Sequence, residues 1–79
     1  MVTLRYFAAA RDAAGTGSET AQGSTVGAVL DGAVARHGAG LADVLRICRV
    51  WRNGEPAERS DPVAAGDEVA LLPPVSGGQ

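Results

Sequence analysis

The sequence predicts an α+β fold in which a mixed sheet of four to five strands packs on one main helix. Three observations predict it. The first and last apolar segments, residues 2–8 and 68–72, alternate with a period of two. Residues 25–37 instead carry apolar side chains at Val26, Val29, Leu30, Ala33 and Val34, the spacing of one buried helical stripe. Asn53-Gly54 separates two short strand-like segments, and a type I′ hairpin turn needs the positive φ that these residues accept.

In residues 2–8, Val2, Leu4 and Tyr6 share the expected core face, and Thr3, Arg5 and Phe7 share the other. Residues 8–14 are alanine-rich and can form a short helical turn, which Gly15-Thr16-Gly17 breaks. Residues 18–22 read as a second, weak strand. Thr25 or Ser24 can cap the main helix by accepting from its unpaired first-turn N–H groups. Gly27 and Gly32 lie inside that helix at roughly 1 kcal/mol each relative to Ala, which argues for close packing against a sheet. Gly38 is the expected left-handed stop, and residues 41–45 add a helical turn.

Residues 47–52 are expected as the third strand. Cys48 and Val50 face the core there, which would put Ile47, Arg49 and Trp51 outward. This pattern leaves the orientation of Trp51 open; an outward Trp51 would cover arginine stems, and Arg52 reaches water at the strand end. Pro56 reduces residues 55–59 to a short edge segment. After a turn at 65–67, the last strand returns beside the first, with Val69 and Leu71 on one face and Ala70 and Leu72 on the other. Pro73-Pro74 ends pairing because neither residue offers an N–H. The expected division is a domain over residues 1–74 and a flexible tail over 75–79.

With 79 residues the chain is one domain. At that size a little over ~60% of the unfolded surface is buried, too little for a second globular unit or a deep cofactor cavity. The net charge is −2, and the seven cations are all Arg. No lysine is present, so no side chain can form a Schiff base or accept an isopeptide bond. The mild acidity argues against nucleic-acid binding, which needs a basic stripe, and against a polybasic membrane binder. The single Cys excludes an intrachain disulfide, and one Cys with one His is too few for a zinc site, so no metal is expected. No apolar run approaches the ~18 residues of a membrane span, and no signal-peptide h-region opens the sequence. A cytoplasmic location is the expectation.

No self-contained active site is visible. His37 lies in the last turn of the main helix, where a cation favours the helix dipole, and reads as structural. Cys48 reads as a buried, inert thiol. The nine acids form no paired-carboxylate motif, and Gly15-Thr16-Gly17 lacks the context of a phosphate loop. The tail has two readings. Residues 75–78 reach roughly 13–14 Å when extended. Gly77 and Gly78 carry no side chains, so the thread can enter a narrow channel, and an unhindered Gly78 carboxylate would become an acyl donor once adenylated. The same residues also suit a frayed end. Phe7 and Leu72 point outward on strands expected to be neighbours. They are either solitary surface residues or a docking face at the root of the tail.

Four stretches occur in order at fitting spacing: Arg5-Tyr6-Phe7-Ala8-Ala9-Ala10-Arg11, Arg52-Asn53-Gly54, Gly66-Asp67-Glu68-Val69-Ala70 and Leu72-Pro73-Pro74-Val75-Ser76-Gly77-Gly78. Together they closely resemble the molybdopterin synthase small-subunit and sulfur-carrier family, which also holds the thiazole-synthesis carrier. The resemblance covers nearly the whole chain and implies the ubiquitin-like β-grasp fold. It further implies that an E1-like enzyme uses ATP to adenylate Gly78 and that sulfur transfer then makes a thiocarboxylate. The molybdopterin synthase large subunit would receive the tail, and two such sulfurs would convert a cyclic pyranopterin precursor to the dithiolene. On this resemblance Gly78 reacts, Gly77, Ser76 and Val75 form the threading tail, and Phe7, Leu72, Pro73 and Pro74 touch partners. No bound cofactor, nucleic acid or membrane is implied.

One departure stands out. The family usually ends at the second Gly, whereas Gln79 follows Gly78 here. The expectation is a precursor from which a protease removes Gln79; the alternative is a chain that is not a carrier. Rival functions are a carrier for thiazole, cysteine or a thioacid product, a plain binding module, and a protein modifier that conjugates to lysines.

Overall fold

The alternation of the first segment is realised in β1 (Val2–Tyr6), whose Val2, Leu4 and Tyr6 are at most 3% exposed while Thr3 and Arg5 face solvent. The computed structural model describes residues 1–74; the expected tail, 75–79, lies outside the described residues. Seven further elements follow: α1 (Ala8–Ala14), β2 (Ser18–Ala21), α2 (Val26–His37), α3 (Ala39–Leu45), β3 (Arg49–Arg52), β4 (Glu55–Pro56) and β5 (Glu68–Leu72). The sheet order is β2-β1-β5-β3-β4. β1 and β5 run parallel at its centre, with Leu4 beside Val69 and Tyr6 beside Leu71, and all other pairings are antiparallel. The helices cover one face. Val26, Val29, Leu30 and Ala33 of α2 meet the inner residues of β1 and β5 in one core.

Two helical turns in the sequence become short helices. α1 spans seven residues because Ala10 is fully buried, and Gly15 closes it in the left-handed conformation with its N–H on the Arg11 carbonyl. α3 also spans seven residues; Leu41 is fully buried, with Val44 and Leu45 partly buried at helical spacing behind it. Gly38 serves both helices. Its φ of 92° is positive, as a left-handed stop needs, but its ψ of −168° lies outside the left-handed helical well; its N–H still closes α2 on the Val34 carbonyl at 2.7 Å. The third strand starts at Arg49 instead of 47, because the Ile47 N–H turns back to the Val44 carbonyl and leaves Ile47 60% exposed.

The cap on α2 is Thr25, whose Oγ1 accepts from the Ala28 N–H at 3.1 Å. The next donors, the N–H groups of Val26 and Gly27, bond to the carbonyls of Asp61 and Arg59. This contact explains Gly27. A Cβ there would stand 3.1 Å from the Arg59 carbonyl oxygen, so the close approach is to this loop and not to the sheet. Gly32 permits no comparable approach; a Cβ there would meet only the Arg36 guanidinium, at 3.6 Å.

The Asn53-Gly54 turn has positive φ at both residues, 53° and 85°. It is also fastened to β5. Asn53 accepts from the Glu68 N–H through Oδ1 and donates through Nδ2 to Asp67. The Asp67 carboxyl sits below its usual range, chiefly because the Ala64 N–H donates to it and then because of Asn53 and Arg52. Arg52 ends β3 half-exposed, 3.7 Å from Asp67. At the sheet edge, β4 offers only two residues, one of them Pro56, which leaves little backbone for a foreign strand.

A single carboxylate clasps β2 to α2. Glu19 Oε2 accepts from the Tyr6 hydroxyl, from Arg36 at 3.1 Å, and lies 2.7 Å from His37 Nε2. The His37 and Tyr6 rings meet edge to face, 5.9 Å apart. Burial raises the Glu19 pKa, but the bonds from Tyr6, His37 and Arg36 outweigh burial and hold it at about 2. Burial and the same bond push the Tyr6 phenol upward. Because the folded carboxyl lies below its unfolded value, its contribution is complete above the ordinary Glu range and fades as pH falls toward 2. Glu19→Gln is therefore expected to cost on the order of 2–3 kcal/mol at about pH 6 and far less near pH 2. Urea titrations of both chains at the two pH values check this; a penalty independent of pH would contradict it.

Candidate functional site

Strand alternation that buries one face of the sheet sets the other face outward. Register places Arg5, Ala70 and Trp51 in one row across β1, β5 and β3. One step on, Leu72 lies opposite Arg49, and Phe7 continues β1 past the Tyr6–Leu71 pair with extended φ and ψ of −131° and 151°. Phe7 is 36% exposed, a large share for an aromatic side chain. Ala70, Leu72 and Trp51 are half-buried, so a low apolar surface runs from Phe7 toward Trp51. The register settles the orientation of Trp51, which shares the outward face with Arg5 and Ala70.

Arg5 organises the edge of this surface. Its guanidinium stands 5.5 Å from the centre of the Phe7 ring and 3.1 Å from a Glu68 carboxylate oxygen. Cation–π attraction and the ion pair thus hold one side chain along β1, although both partners of the ion pair are about half-exposed and its net worth is small. Leu72 leads directly into Pro73 and Pro74, both exposed. The apolar surface therefore lies at the end of the sheet from which the chain departs. Val75, Ser76, Gly77 and Gly78 fall outside the described residues.

The remaining sequence candidates lie elsewhere. His37 is part of the Glu19 clasp on the helix side of the sheet. Cys48 is half-buried, and burial pushes its thiol above the usual range, which keeps it from being a thiolate near neutral pH. Sequence reading missed Ala8. Its φ of 52° lies in the left-handed region, unfavourable for any residue with a Cβ. That one residue turns the chain from β1 into α1, whose first amides return to the Phe7 carbonyl, and so fixes where Phe7 sits. A small residue directly after an outward aromatic was the available signal.

The ThiS family pattern matches residues 4–78 of this sequence. The chain belongs to the ThiS family. It is 44% identical over 62 residues to small archaeal modifier protein 1 of Haloferax volcanii, covering 70% of this chain and 71% of that protein. The crystal structure of SAMP1 from Haloferax volcanii superposes with a TM-score of 0.78 at 38% identity over 98% of both chains. The molybdopterin synthase sulfur carrier subunit of Chlamydomonas reinhardtii is 35% identical over 82 residues, 98% of each chain. A chain in the crystal structure of the Amycolatopsis orientalis BexX/CysO complex matches with a TM-score of 0.79 and 28% identity, over 99% of this chain and 100% of that one. As in these structural neighbours, the five-stranded mixed sheet over the helices is the ubiquitin-like β-grasp. Among the described residues no helix is long and apolar enough to cross a membrane.

The strain at Ala8 gives a direct test of how this ThiS-family chain sets Phe7. Ala8→Gly should raise stability by up to about 1 kcal/mol, and Ala8→Val should lower it by about 1–2 kcal/mol. Thermal melts of the three chains check the order; a stabilising Ala8→Val would show that the turn is not left-handed.

Proposed function

We propose that this chain carries sulfur as a thiocarboxylate on Gly78 and serves as the small subunit of a molybdopterin synthase. The observation that carries the reading is the shared end of the sheet. Phe7 and Leu72 lie where Pro73-Pro74 leave β5, so a partner that covers this surface also receives whatever residues 75–78 deliver. The near full-length similarity to a molybdopterin synthase sulfur carrier subunit supports the same reading. An E1-like enzyme supplies ATP. A Gly78 carboxylate oxygen attacks the α-phosphorus, pyrophosphate leaves, and a sulfur nucleophile then displaces AMP at the carbonyl. The large subunit provides the groups that act on the pterin. Partners therefore include that subunit, the adenylating enzyme and a protease that cleaves after Gly78, because Gly78 is followed by Gln79 and its carbonyl is otherwise an amide.

The decisive comparison is between chains ending at Gly78 and at Gln79, each incubated with ATP, a sulfur donor and the adenylating enzyme. Intact mass should show one sulfur-for-oxygen exchange in the shorter chain alone. Thiolation of the longer chain with Gln79 still attached would overturn the chemistry. Docking has its own measurement. Burying a Phe or Leu is worth roughly 1.5–3 kcal/mol, so Phe7→Asp or Leu72→Asp should weaken binding to the large subunit and to the adenylating enzyme at least tenfold. Unchanged affinity in a folded variant would remove the proposed face.

One specific observation favours a second reading, a protein modifier: the 44% identity to small archaeal modifier protein 1. Under it, the mature chain is recovered from cells as amides on lysines of other proteins. A carrier for another sulfur pathway would be thiolated equally well but would not convert the pterin precursor when combined with the large subunit.

A further inference from the structure

The outward rows of β1, β5 and β3 carry three charged side chains, Arg5, Glu68 and Arg49. Two cations against one anion make this face locally positive on a chain whose net charge is −2. The two arginines differ. Arg5 is already engaged, by the Phe7 ring at 5.5 Å and the Glu68 carboxylate at 3.1 Å. Arg49 is exposed, and among the described residues it has no ion-pair partner.

Its position gives this charge a consequence. Arg49 pairs with Leu72 across β3 and β5, and Phe7 extends β1 on the other side of β5. With strands about 4.8 Å apart, the row from Phe7 through Leu72 to Arg49 is about 10 Å wide. Trp51 lies two residues further along β3 on the same face. A partner seated on Phe7 and Leu72 therefore covers Arg49 as well. It strips water from a guanidinium that its own chain leaves uncompensated, and that loss is large unless a counter-charge replaces the water.

We propose that Arg49 is the specificity-determining residue of the docking face, and that the partner presents an aspartate or glutamate carboxylate to it. The inference rests on the reading of the Phe7–Leu72 surface as the face that meets the large subunit, and it adds the chemistry that this partner must bring. The planar guanidinium gives two parallel N–H···O bonds to one carboxylate, which fixes direction as well as charge. An apolar surface with no acid opposite position 49 leaves the cation buried and unpaired, and one with a base there is repelled. Arg5 needs no such partner, because Glu68 compensates it from within the chain.

The test measures binding of the full 79-residue chain to the large subunit by calorimetry, with thermal melts to confirm that each variant is folded. Arg49→Gln should weaken binding roughly tenfold and Arg49→Glu about a hundredfold or more. Arg49→Lys should weaken it less than Arg49→Gln, because the charge stays and only the fork is lost. Arg46→Gln makes the same charge change at the end of α3 and should leave affinity unchanged. Rising salt should weaken the natural chain more steeply than Arg49→Gln. The natural sequence has no lysine, so Arg49→Lys gains a single side-chain amine. In the complex a carbodiimide should join that amine to an acidic residue of the large subunit, located by peptide mass.

Three results would overturn the proposal: Arg49→Glu binding within about threefold of the natural chain, Arg46→Gln weakening binding as much as Arg49→Gln, or a complex of Arg49→Lys that gives no cross-link from position 49. Phe7→Asp, measured alongside, separates two kinds of failure. If it weakens binding at least about tenfold while Arg49→Glu does not, the docking face stands and the role of Arg49 falls. If neither weakens binding, the docking face itself is lost.

Discussion

The parallel pairing of β1 with β5 is the constraint on which the rest of the structure depends. It joins the two ends of the sequence, Thr3 to Glu68 through Tyr6 to Leu71, and supplies the centre of the core from both. Direction matters as much as contact. Because the strands are parallel, the end of β1 that presents Phe7 is also the end at which β5 releases the chain. An antiparallel pairing of the same residues would send Pro73 and Pro74 away from the far end of the sheet, with the apolar surface left behind. The helices lie on one face only, so the pairing also divides its residues cleanly into a buried set and an accessible set.

Two carboxylates keep the flanking strands in register with this pair. Glu19 joins β2 to the last turn of α2, and Asp67 joins the β3–β4 turn to the start of β5. Each accepts from groups on elements distant in sequence; those bonds lower the Glu19 pKa, and at Asp67 they add to the larger lowering by the local Ala64 N–H. Hydrogen bonds of this kind add modest net stability, but leaving a partner without its bond is expensive, which makes them better at excluding alternative registers than at adding strength. A small core benefits from such exclusion, since its apolar contacts alone are less discriminating.

The parts of the fold legible in the sequence are those where one local pattern decides. Val2, Leu4 and Tyr6 announce a half-buried strand, the stripe from Val26 to Val34 a helix, and Asn53-Gly54 a hairpin. Elements that depend on a distant partner were harder to read. α3 is a full helix because Leu41 finds the core, and nothing within seven residues reveals that. Gly27 faces a loop whose position is set by residues 59–61. Glu19 looks like an ordinary surface acid until β2 pairs with β1 and turns it toward His37. For the candidate site, the outward direction of Phe7 and Leu72 followed from alternation alone, whereas that of Trp51 needed the β3–β5 register. The bend at Ala8 and the position of Arg5 over Phe7 require three dimensions, because both arise where β1 ends.

The tail itself has little to say to a partner. Gly77 and Gly78 offer backbone only, and a channel that accepts them accepts any chain ending in the same way. If the ThiS-family tail is the reagent, discrimination between one sulfur pathway and another has to come from surface that the tail leaves behind. The outward rows of the sheet are the nearest such surface, and they are not uniform: Phe7 and Leu72 are apolar, Arg5 is held between a ring and a carboxylate, and Arg49 stands exposed beside the root. Apolar burial supplies affinity that many partners can share, whereas a misplaced charge opposite Arg5 or Arg49 penalises the wrong one. On the proposed carrier reading, the labour divides by side-chain chemistry: glycine for passage, aromatic and aliphatic groups for adhesion, arginine for selection.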